Sequence, residues 1–108
     1  MSKQFSYSLL YAPEVHAHIK SVERRYHRLL EETIKEQLSF TPDQRTRNRK
    51  PLEETPGPFG ATWELRCGPA NRFRVFYEIV LERREVWILA IGVKVRDRLH
   101  FAGKEFSP

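Results

Sequence analysis

Three runs of alternating apolar and polar residues between positions 61 and 101 constrain the fold of this chain more than any other feature. The runs cover residues 62–66, 73–80 and 86–95, and they are rich in β-branched and aromatic residues. Connections of five or six mostly polar residues separate them, a length typical of neighbouring antiparallel strands. The sequence therefore predicts a three-stranded antiparallel meander.

The alternation within the runs also predicts which side chains share a face of the sheet. An inner face, packed against a core, is predicted for Trp63, Leu65, Phe73, Val75, Tyr77, Ile79, Trp87, Leu89, Ile91 and Val93. The outer face then carries Arg66, Arg74 and Lys94, among neighbours that include Ile88 and Ala90. A basic face of this kind suits a phosphate backbone. Solvated arginines on an exposed sheet are the alternative.

The first 40 residues predict a strand followed by a helical stretch. Residues 5–11 have the composition of a strand, which we expect to join one edge of the sheet. Pro13 then opens a segment in which apolar residues recur every three or four positions from Val15 to Leu38. We expect this segment to break near residues 21–25 into a helical hairpin and to pack on the inner sheet face. The prediction is an α+β fold, formed as a single domain by residues 1–108.

The segment after the helical stretch is unusually basic. Arg45, Arg47, Arg49 and Lys50 precede a loop that is interrupted by proline and glycine. A connection of about 20 residues is long for a compact domain, and such loops are often functional. We expect this segment to contact a partner, with a solvated linker as the alternative.

Charge and composition restrict the class of partner. Lys and Arg number 19 against 14 Asp and Glu, for a net charge of +5, which favours nucleic acid, an acidic protein or an anionic membrane. No apolar run approaches the length of a membrane span, and no signal peptide is evident, so we expect a soluble cytoplasmic protein. Cys67 is the only cysteine, which excludes an internal disulfide and a cysteine-based zinc site.

Three histidines in the helical stretch are not spaced as metal ligands. His16, His18 and His27 do not stand four residues apart, the spacing that places two imidazoles on one helical face. We predict that they are solvated surface residues. No metal or cofactor is therefore expected, and we predict that Cys67 is not a reactive thiol.

Taken in order, these predicted elements resemble the RelE/ParE superfamily of small toxins from bacterial toxin–antitoxin pairs. The resemblance rests on residues 48–52 (NRKPL), 63–66 (WELR), 73–78 (FRVFYE) and 88–94 (ILAIGVK), and it spans the chain from residue 5 to about 105. It is closer to the RelE branch of ribosome-dependent endoribonucleases than to the ParE branch, which inhibits gyrase. It implies a toxin that cleaves mRNA on the ribosome and is neutralised by a cognate antitoxin. A gyrase inhibitor and a catalytically weak RNA-binding or antitoxin-binding homologue are the alternatives.

The resemblance also implies site residues for attack of a ribose 2′-hydroxyl on the adjacent phosphate. The phosphate-holding arginine of the family maps onto Arg74, a basic residue of the last strand maps onto Lys94, and a terminal tyrosine maps onto His100, a possible general acid. Thr62 and Glu64 stand where the best-known RelE toxin has two catalytic lysines. The basic residues expected to bind RNA are Arg45, Arg47, Arg49, Lys50, Arg66, Arg72, Arg96 and Arg98.

Overall fold

The computed structural model describes residues 6–107, which form one sheet with two helices. In chain order the elements are β1 (Ser8–Tyr11), α1 (Glu14–Lys20), α2 (His27–Leu38), β2 (Arg49–Pro51), β3 (Trp63–Cys67), β4 (Phe73–Val80), β5 (Glu85–Val95), β6 (Arg98–Phe101) and β7 (Lys104–Glu105). Strands β2 to β7 lie side by side in sequence order, and β1 pairs with β5. The predicted α+β class is confirmed.

The predicted meander forms the centre of this sheet. Strands β3, β4 and β5 pair antiparallel, whereas β1 runs parallel to β5, with Ser8 opposite Glu85 and Tyr11 opposite Ile88. Strands β2, β6 and β7 were not predicted. They have three, four and two residues, which is too short for an alternation of apolar and polar positions to be recognised.

The helical stretch breaks where the sequence predicts. Helix α1 ends at Lys20 and α2 begins at His27. The Ser21 hydroxyl donates to the carbonyl of His18 at 2.7 Å, and the His27 ring nitrogen Nε2 lies 2.8 Å from the carbonyl oxygen of Val22. Side-chain hydrogen bonds of this kind satisfy carbonyls that a continuous helix would use, so they favour a break without glycine or proline.

Both helices contribute apolar side chains to a main core with the inner sheet face. Its fully buried members include Val15, Leu30, Ile34, Leu38, Leu65, Phe73, Val75, Tyr77, Val86, Ile88 and Ile91. Burying a side chain of this size stabilises the fold by about 1.5–3 kcal/mol. The hairpin is therefore held on the sheet mainly by this core.

A β-bulge in the pairing of β4 with β5 reverses the faces on which the side chains of the first half of β5 lie. Phe76 pairs with Ala90 and Tyr77 pairs with Ile88, so Leu89 has no partner of its own on β4. One extra residue shifts every side chain before it to the opposite face of the sheet. Sequence alternation cannot reveal this shift, because Leu89 is apolar like its neighbours.

The predicted facing of the first half of β5 is consequently wrong. Val86 and Ile88 are fully buried in the main core, although Ile88 was expected on the outer face. Trp87 pairs with Glu78 on the opposite face and is only half-buried. Beyond the bulge, Ile91 is buried in the main core and Val93 packs against it, both as predicted.

His18 is not the solvated residue that its sequence context predicts. Its surface is 4% exposed, and its Nδ1 accepts a hydrogen bond of 3.1 Å from the backbone N–H of Ile91. Within residues 6–107, no strand pairs with this edge of β5 between Ile88 and Val93. His18 thus satisfies a backbone donor that the sheet leaves without a strand partner.

This contact predicts a pH-dependent contribution to stability. Burial lowers the pKa of His18, while Glu14 acts in the opposite direction. The unfolded chain therefore binds this proton more readily than the folded chain, so the contribution is present above about pH 6.5 and is lost as the pH falls below that value. We expect the free energy of unfolding, measured with urea, to decrease from pH 7 to pH 5 because the His18 imidazole becomes protonated.

The variant His18→Asn isolates the effect, because its amide oxygen can accept the same hydrogen bond without titrating. We expect this variant to lose the part of the pH dependence that His18 supplies. His16→Asn, at an exposed position of the same helix, is the matched control and should keep the full dependence. Identical pH profiles for the His18 variant and the native chain would contradict the assignment.

Candidate nucleic-acid interface

The predicted basic residues of the outer sheet face lie together. Arg66 on β3 is directly opposite Arg74 on β4, and Arg74 is opposite Gly92 on β5. Lys94 stands two residues beyond Gly92, so its side chain leaves the sheet on the same side. Arg74 and Lys94 line an open depression of about 410 Å³ together with Arg72 and Arg96. We call Arg66, Arg74 and Lys94 the outer basic cluster.

A buried carboxylate holds two members of this cluster. Glu64 is 7% exposed; its Oε1 lies 2.8 Å from Arg66 Nε, and its Oε2 lies 3.8 Å from an Nη atom of Arg74. The carboxylate offsets the repulsion between two neighbouring guanidinium groups. The alternation of the sequence places Glu64 on the same face as Arg66, but it does not show that the carboxylate also reaches Arg74.

The charge of Arg74 is fixed in place before any ligand binds. Its Nε donates to the carbonyl oxygen of Asn71 at 3.0 Å, and only 11% of its side-chain surface is exposed. Burial lowers the pKa of Arg74, Glu64 raises it, and Arg66 lowers it further. A guanidinium is not deprotonated in proteins at accessible pH, so Arg74 remains protonated at neutral pH. Such a charge needs little reorganisation to stabilise an anion.

The rest of the outer face is not open. A second apolar cluster covers it, formed by Ala61, Phe76, Ala90 and Phe101 with Leu52, Leu89, Leu99 and Phe106 against it. Leu52 holds the long loop to this cluster, and Phe59 of the same loop lies 5.1 Å from the Phe101 ring. The predicted basic face is therefore confined to the end of the sheet that carries Arg66, Arg74 and Lys94.

Gly92 allows two side chains of β6 to lie close to the backbone of β5. A Cβ atom at this position would stand 2.7 Å from Leu99 Cδ1 and 2.9 Å from Phe101 Cε1, both below van der Waals contact. Glycine in a strand often marks such a close approach. Any larger residue here would push against the side chains of Leu99 and Phe101.

Arg49 is a correction to the predicted RNA-binding residues. It pairs with Leu65, whose side chain faces the main core, and it is 4% exposed. Its guanidinium donates to the carbonyl oxygen of Gln37 and lies 3.5 Å from the Thr41 hydroxyl. Gln37 is in the last turn of α2, where carbonyls lack helical partners. Arg49 therefore stabilises the helix terminus and is not accessible to RNA.

The other basic residues of this segment are accessible. Arg45 and Arg47 are exposed in the loop before β2. Lys50 pairs with Glu64, which places it on the outer face beside Arg66. RNA binding by these three residues stays a prediction, and their positions are compatible with it.

Arg72 contacts the helical hairpin, and it also lines the depression that holds Arg74 and Lys94. Its guanidinium lies 3.1 Å from a Glu23 carboxylate oxygen and about 5 Å from the ring centres of Tyr26 and Phe73. This combination of an ion pair with cation–π contacts joins β4 to the turn between the helices. The structure gives Arg72 this role in the fold, and its predicted contact with RNA is untested.

His100 does not join Arg74 and Lys94 in one site. In the β5–β6 hairpin, Lys94 pairs with Leu99, whereas Val93 pairs with His100 and Val95 with Arg98. Directly paired residues share a face, so His100 and Arg98 lie on the side of the hairpin opposite Lys94. The predicted three-residue arrangement is thus corrected by the register of the hairpin, which the sequence did not specify.

The described residues contain no group of three or more His, Cys, Asp or Glu side chains placed to hold a metal ion. Cys67 is buried, which raises the pKa of its thiol to about 11, so it is protonated and unreactive at neutral pH. Neither helix of residues 6–107 is long and apolar enough to cross a membrane.

Comparison with known proteins identifies the fold. No family model and no curated protein matches the sequence. A chain of the crystal structure of the toxin–antitoxin complex RelBE2 from Mycobacterium tuberculosis matches with a TM-score of 0.59 and 20% sequence identity. The match covers 80% of this chain and 95% of that chain. This chain has a RelE-like fold.

Within the RelE-like fold, the two residues that the sequence resemblance sets against lysines, Thr62 and Glu64, have different surroundings. Thr62 is exposed and carries no charge toward the outer face. Glu64 is buried between Arg66 and Arg74. The outer basic cluster therefore consists of Lys94 and of two arginines that the Glu64 carboxylate orients.

Proposed function

We propose that this chain is the toxin of a type II toxin–antitoxin pair and that it cleaves mRNA on the ribosome. The RelE-like fold supports the toxin class. The observation that carries the proposed cleavage is the cluster of Arg66, Arg74 and Lys94 at the open end of the sheet. The proposed partners are a cognate antitoxin, the ribosome and mRNA, so the site of action is the cytoplasm. The reaction needs no cofactor.

In the proposed reaction, two cations of the cluster would stabilise the charge that develops on the phosphate. Attack of the 2′-hydroxyl on the phosphate forms a bond to phosphorus, breaks the bond to the 5′-oxygen and passes through a crowded, doubly charged species. Arg74 can donate two N–H groups to its oxygens, and Lys94 adds a second charge from the neighbouring strand. Charges already fixed in the free protein stabilise such a species most effectively.

Residues that flank Arg74 would bind the RNA, and one of them would accept a proton. Arg66 and Lys50 lie beside Arg74 on the same face and would bind the adjacent phosphates. Glu64 is the carboxylate that contacts both arginines, and we assign to it acceptance of the 2′-hydroxyl proton. His100 lies on the opposite face, so we assign it no proton transfer, and a water molecule from the open site supplies the proton to the leaving 5′-oxygen.

A second candidate function is that of a catalytically weak homologue that binds RNA or an antitoxin. The observation that favours it is the arrangement at positions 62 and 64, where an exposed threonine and a buried glutamate replace two lysines. A cleavage assay separates the two candidates.

We expect regulated expression of this chain without a partner to arrest bacterial growth within one or two generations. In a translating extract, we expect cleavage of mRNA that requires ribosomes, mapped by primer extension. Arg83→Gln is a suitable control, because Arg83 is exposed in the turn between β4 and β5, at the opposite end of these strands from the outer basic cluster. This variant should remain toxic.

Each departure from this result has a distinct meaning. Normal growth at high expression of folded protein would contradict the toxin assignment. Arrest with intact mRNA and an induced DNA-damage response would indicate a gyrase inhibitor. Arrest with neither mRNA cleavage nor DNA damage would favour the binding homologue.

A further inference from the structure

The face of the β5–β6 hairpin opposite Lys94 carries a second basic cluster. Arg98 and His100 line an open depression of about 630 Å³ together with Val95, Arg96 and Glu105. This face is accessible because the main core ends at Val93, which is half-buried, while Val95 is 48% exposed. We call Arg98 and His100 the hairpin pair.

Arg96 connects the hairpin pair to the outer basic cluster. It lies in the tight turn of the hairpin with Asp97, and both residues have positive φ, 51° and 64°. This conformation is typical of two-residue hairpin turns. Arg96 lines the depression on each side of the hairpin, so basic side chains continue around its tip from Lys94 to Arg98. Asp97 is the acidic residue that lines the depression on the Lys94 side of the hairpin.

The hydrogen bonding of His100 leaves one ring nitrogen for a ligand. Nδ1 lies 3.1 Å from the carbonyl oxygen of Arg98. A carbonyl can only accept a hydrogen bond, so Nδ1 carries the hydrogen. Nε2 is then the nitrogen left for contact with a ligand.

Arg98 is held in reach of the same ligand. Its guanidinium lies 2.7 Å from a Glu105 carboxylate oxygen, and 70% of its side-chain surface is exposed. A guanidinium has five N–H donors. This ion pair therefore orients Arg98 and leaves other N–H groups of its guanidinium available to a ligand. Exposed ion pairs contribute little to stability, and a phosphate can therefore compete with Glu105 for Arg98.

We propose that the hairpin pair is a second phosphate-binding subsite, which holds a single RNA strand after it crosses the hairpin tip from the outer basic cluster. This proposal rests on the proposed function, because the strand that continues past the first site is the RNA to be cleaved. RNA fits better than an acidic protein, since Val95 alone is apolar among the described residues that line this depression, and protein interfaces usually have an apolar centre.

Binding of a 2′-O-methyl RNA strand of ten nucleotides, which cannot be cleaved, tests the subsite. Fluorescence anisotropy over a range of NaCl concentrations gives the affinity and its salt dependence. For Arg98→Gln with His100→Gln, we expect affinity about ten-fold lower, as for the removal of charge-assisted hydrogen bonds. The slope of log affinity against log salt should become shallower by about 0.7 for each phosphate that the variant no longer neutralises.

A variant with the opposite expected sign separates binding from folding. Glu105→Gln removes the carboxylate that competes for Arg98, so we expect tighter RNA binding and a steeper salt slope. Glu105 is exposed on β7, where a glutamine preserves the backbone pairing with His100. Arg83→Gln is again the control and should bind as the native chain does.

The outcomes distinguish the subsite from the proposed function. RNA binding and mRNA cleavage that persist with an unchanged salt slope in the double variant would overturn the subsite alone. Failure of the native chain to bind RNA would overturn both, whereas RNA binding without mRNA cleavage would overturn the proposed cleavage alone. Tighter binding of polyglutamate than of RNA, abolished in the double variant, would assign the hairpin pair to an acidic protein and overturn RNA as its ligand.

Discussion

Replacing Arg74 with alanine should lower the rate of mRNA cleavage by about 10²–10³-fold or more, the effect of removing a fixed donor from an oxyanion site. Arg74 is protonated at all accessible pH values, so the decrease should be equal from pH 5.5 to pH 8.5. Single-turnover cleavage on ribosomes programmed with a defined mRNA measures it. Recovery of activity in Arg74→Lys should be partial, because lysine cannot grip two phosphate oxygens in parallel.

The control for this experiment addresses Glu64. Arg74→Ala leaves the buried Glu64 carboxylate with Arg66 as its remaining partner in the ion-pair network, and an unpaired buried charge destabilises a fold. The double variant Glu64→Gln with Arg74→Ala removes that charge and should restore stability; only its stability is compared, because Glu64 is also the proposed proton acceptor. Native cleavage rates in folded Arg74→Ala would contradict the role of Arg74.

Replacing Arg49 with methionine should lower the free energy of unfolding by about 2 kcal/mol, because the carbonyl of Gln37 loses a charged hydrogen-bond donor in a buried position. Methionine preserves most of the volume, so the missing hydrogen bonds outweigh any effect of a cavity. For a domain of this size, each kcal/mol lowers the Tm by about 4–8 °C. Urea denaturation and thermal melting both measure the effect.

Arg47→Met is the matched control, since Arg47 is exposed in the same loop two residues earlier. Its stability should change by less than about 0.5 kcal/mol, the usual range for surface positions. RNA affinity should respond in the opposite way, falling in Arg47→Met and persisting in folded Arg49→Met. Equal destabilisation of the two variants would contradict the buried role of Arg49.

The sequence by itself determined the elements whose signal is local. Strands β3, β4 and β5 have period-two alternation over five residues or more, and the amphipathic stripe from Val15 to Leu38 has the helical period. The break of the helix near Ser21 was also predictable. So was the shared face of Arg66, Arg74 and Lys94, because these residues lie on the same side of the bulge.

Only the tertiary structure decided which face of the sheet a residue occupies where that depends on the register with a partner strand. The bulge at Leu89 moved Ile88 into the core, and the register of the β5–β6 hairpin placed His100 away from Lys94. Neither has a local signature, because a shift of one residue leaves composition unchanged while it reverses every side chain.

The roles of buried polar residues were likewise decided by contacts distant in sequence. His18 binds Ile91, 73 positions away, and Arg49 binds the end of a helix 12 positions earlier. As residue types, histidine and arginine are usually exposed, so the sequence predicted solvated or RNA-binding side chains. In the folded chain these two side chains are buried because they form hydrogen bonds with backbone groups that lack partners at a sheet edge and at a helix terminus. Those unpaired groups arise only when the chain folds.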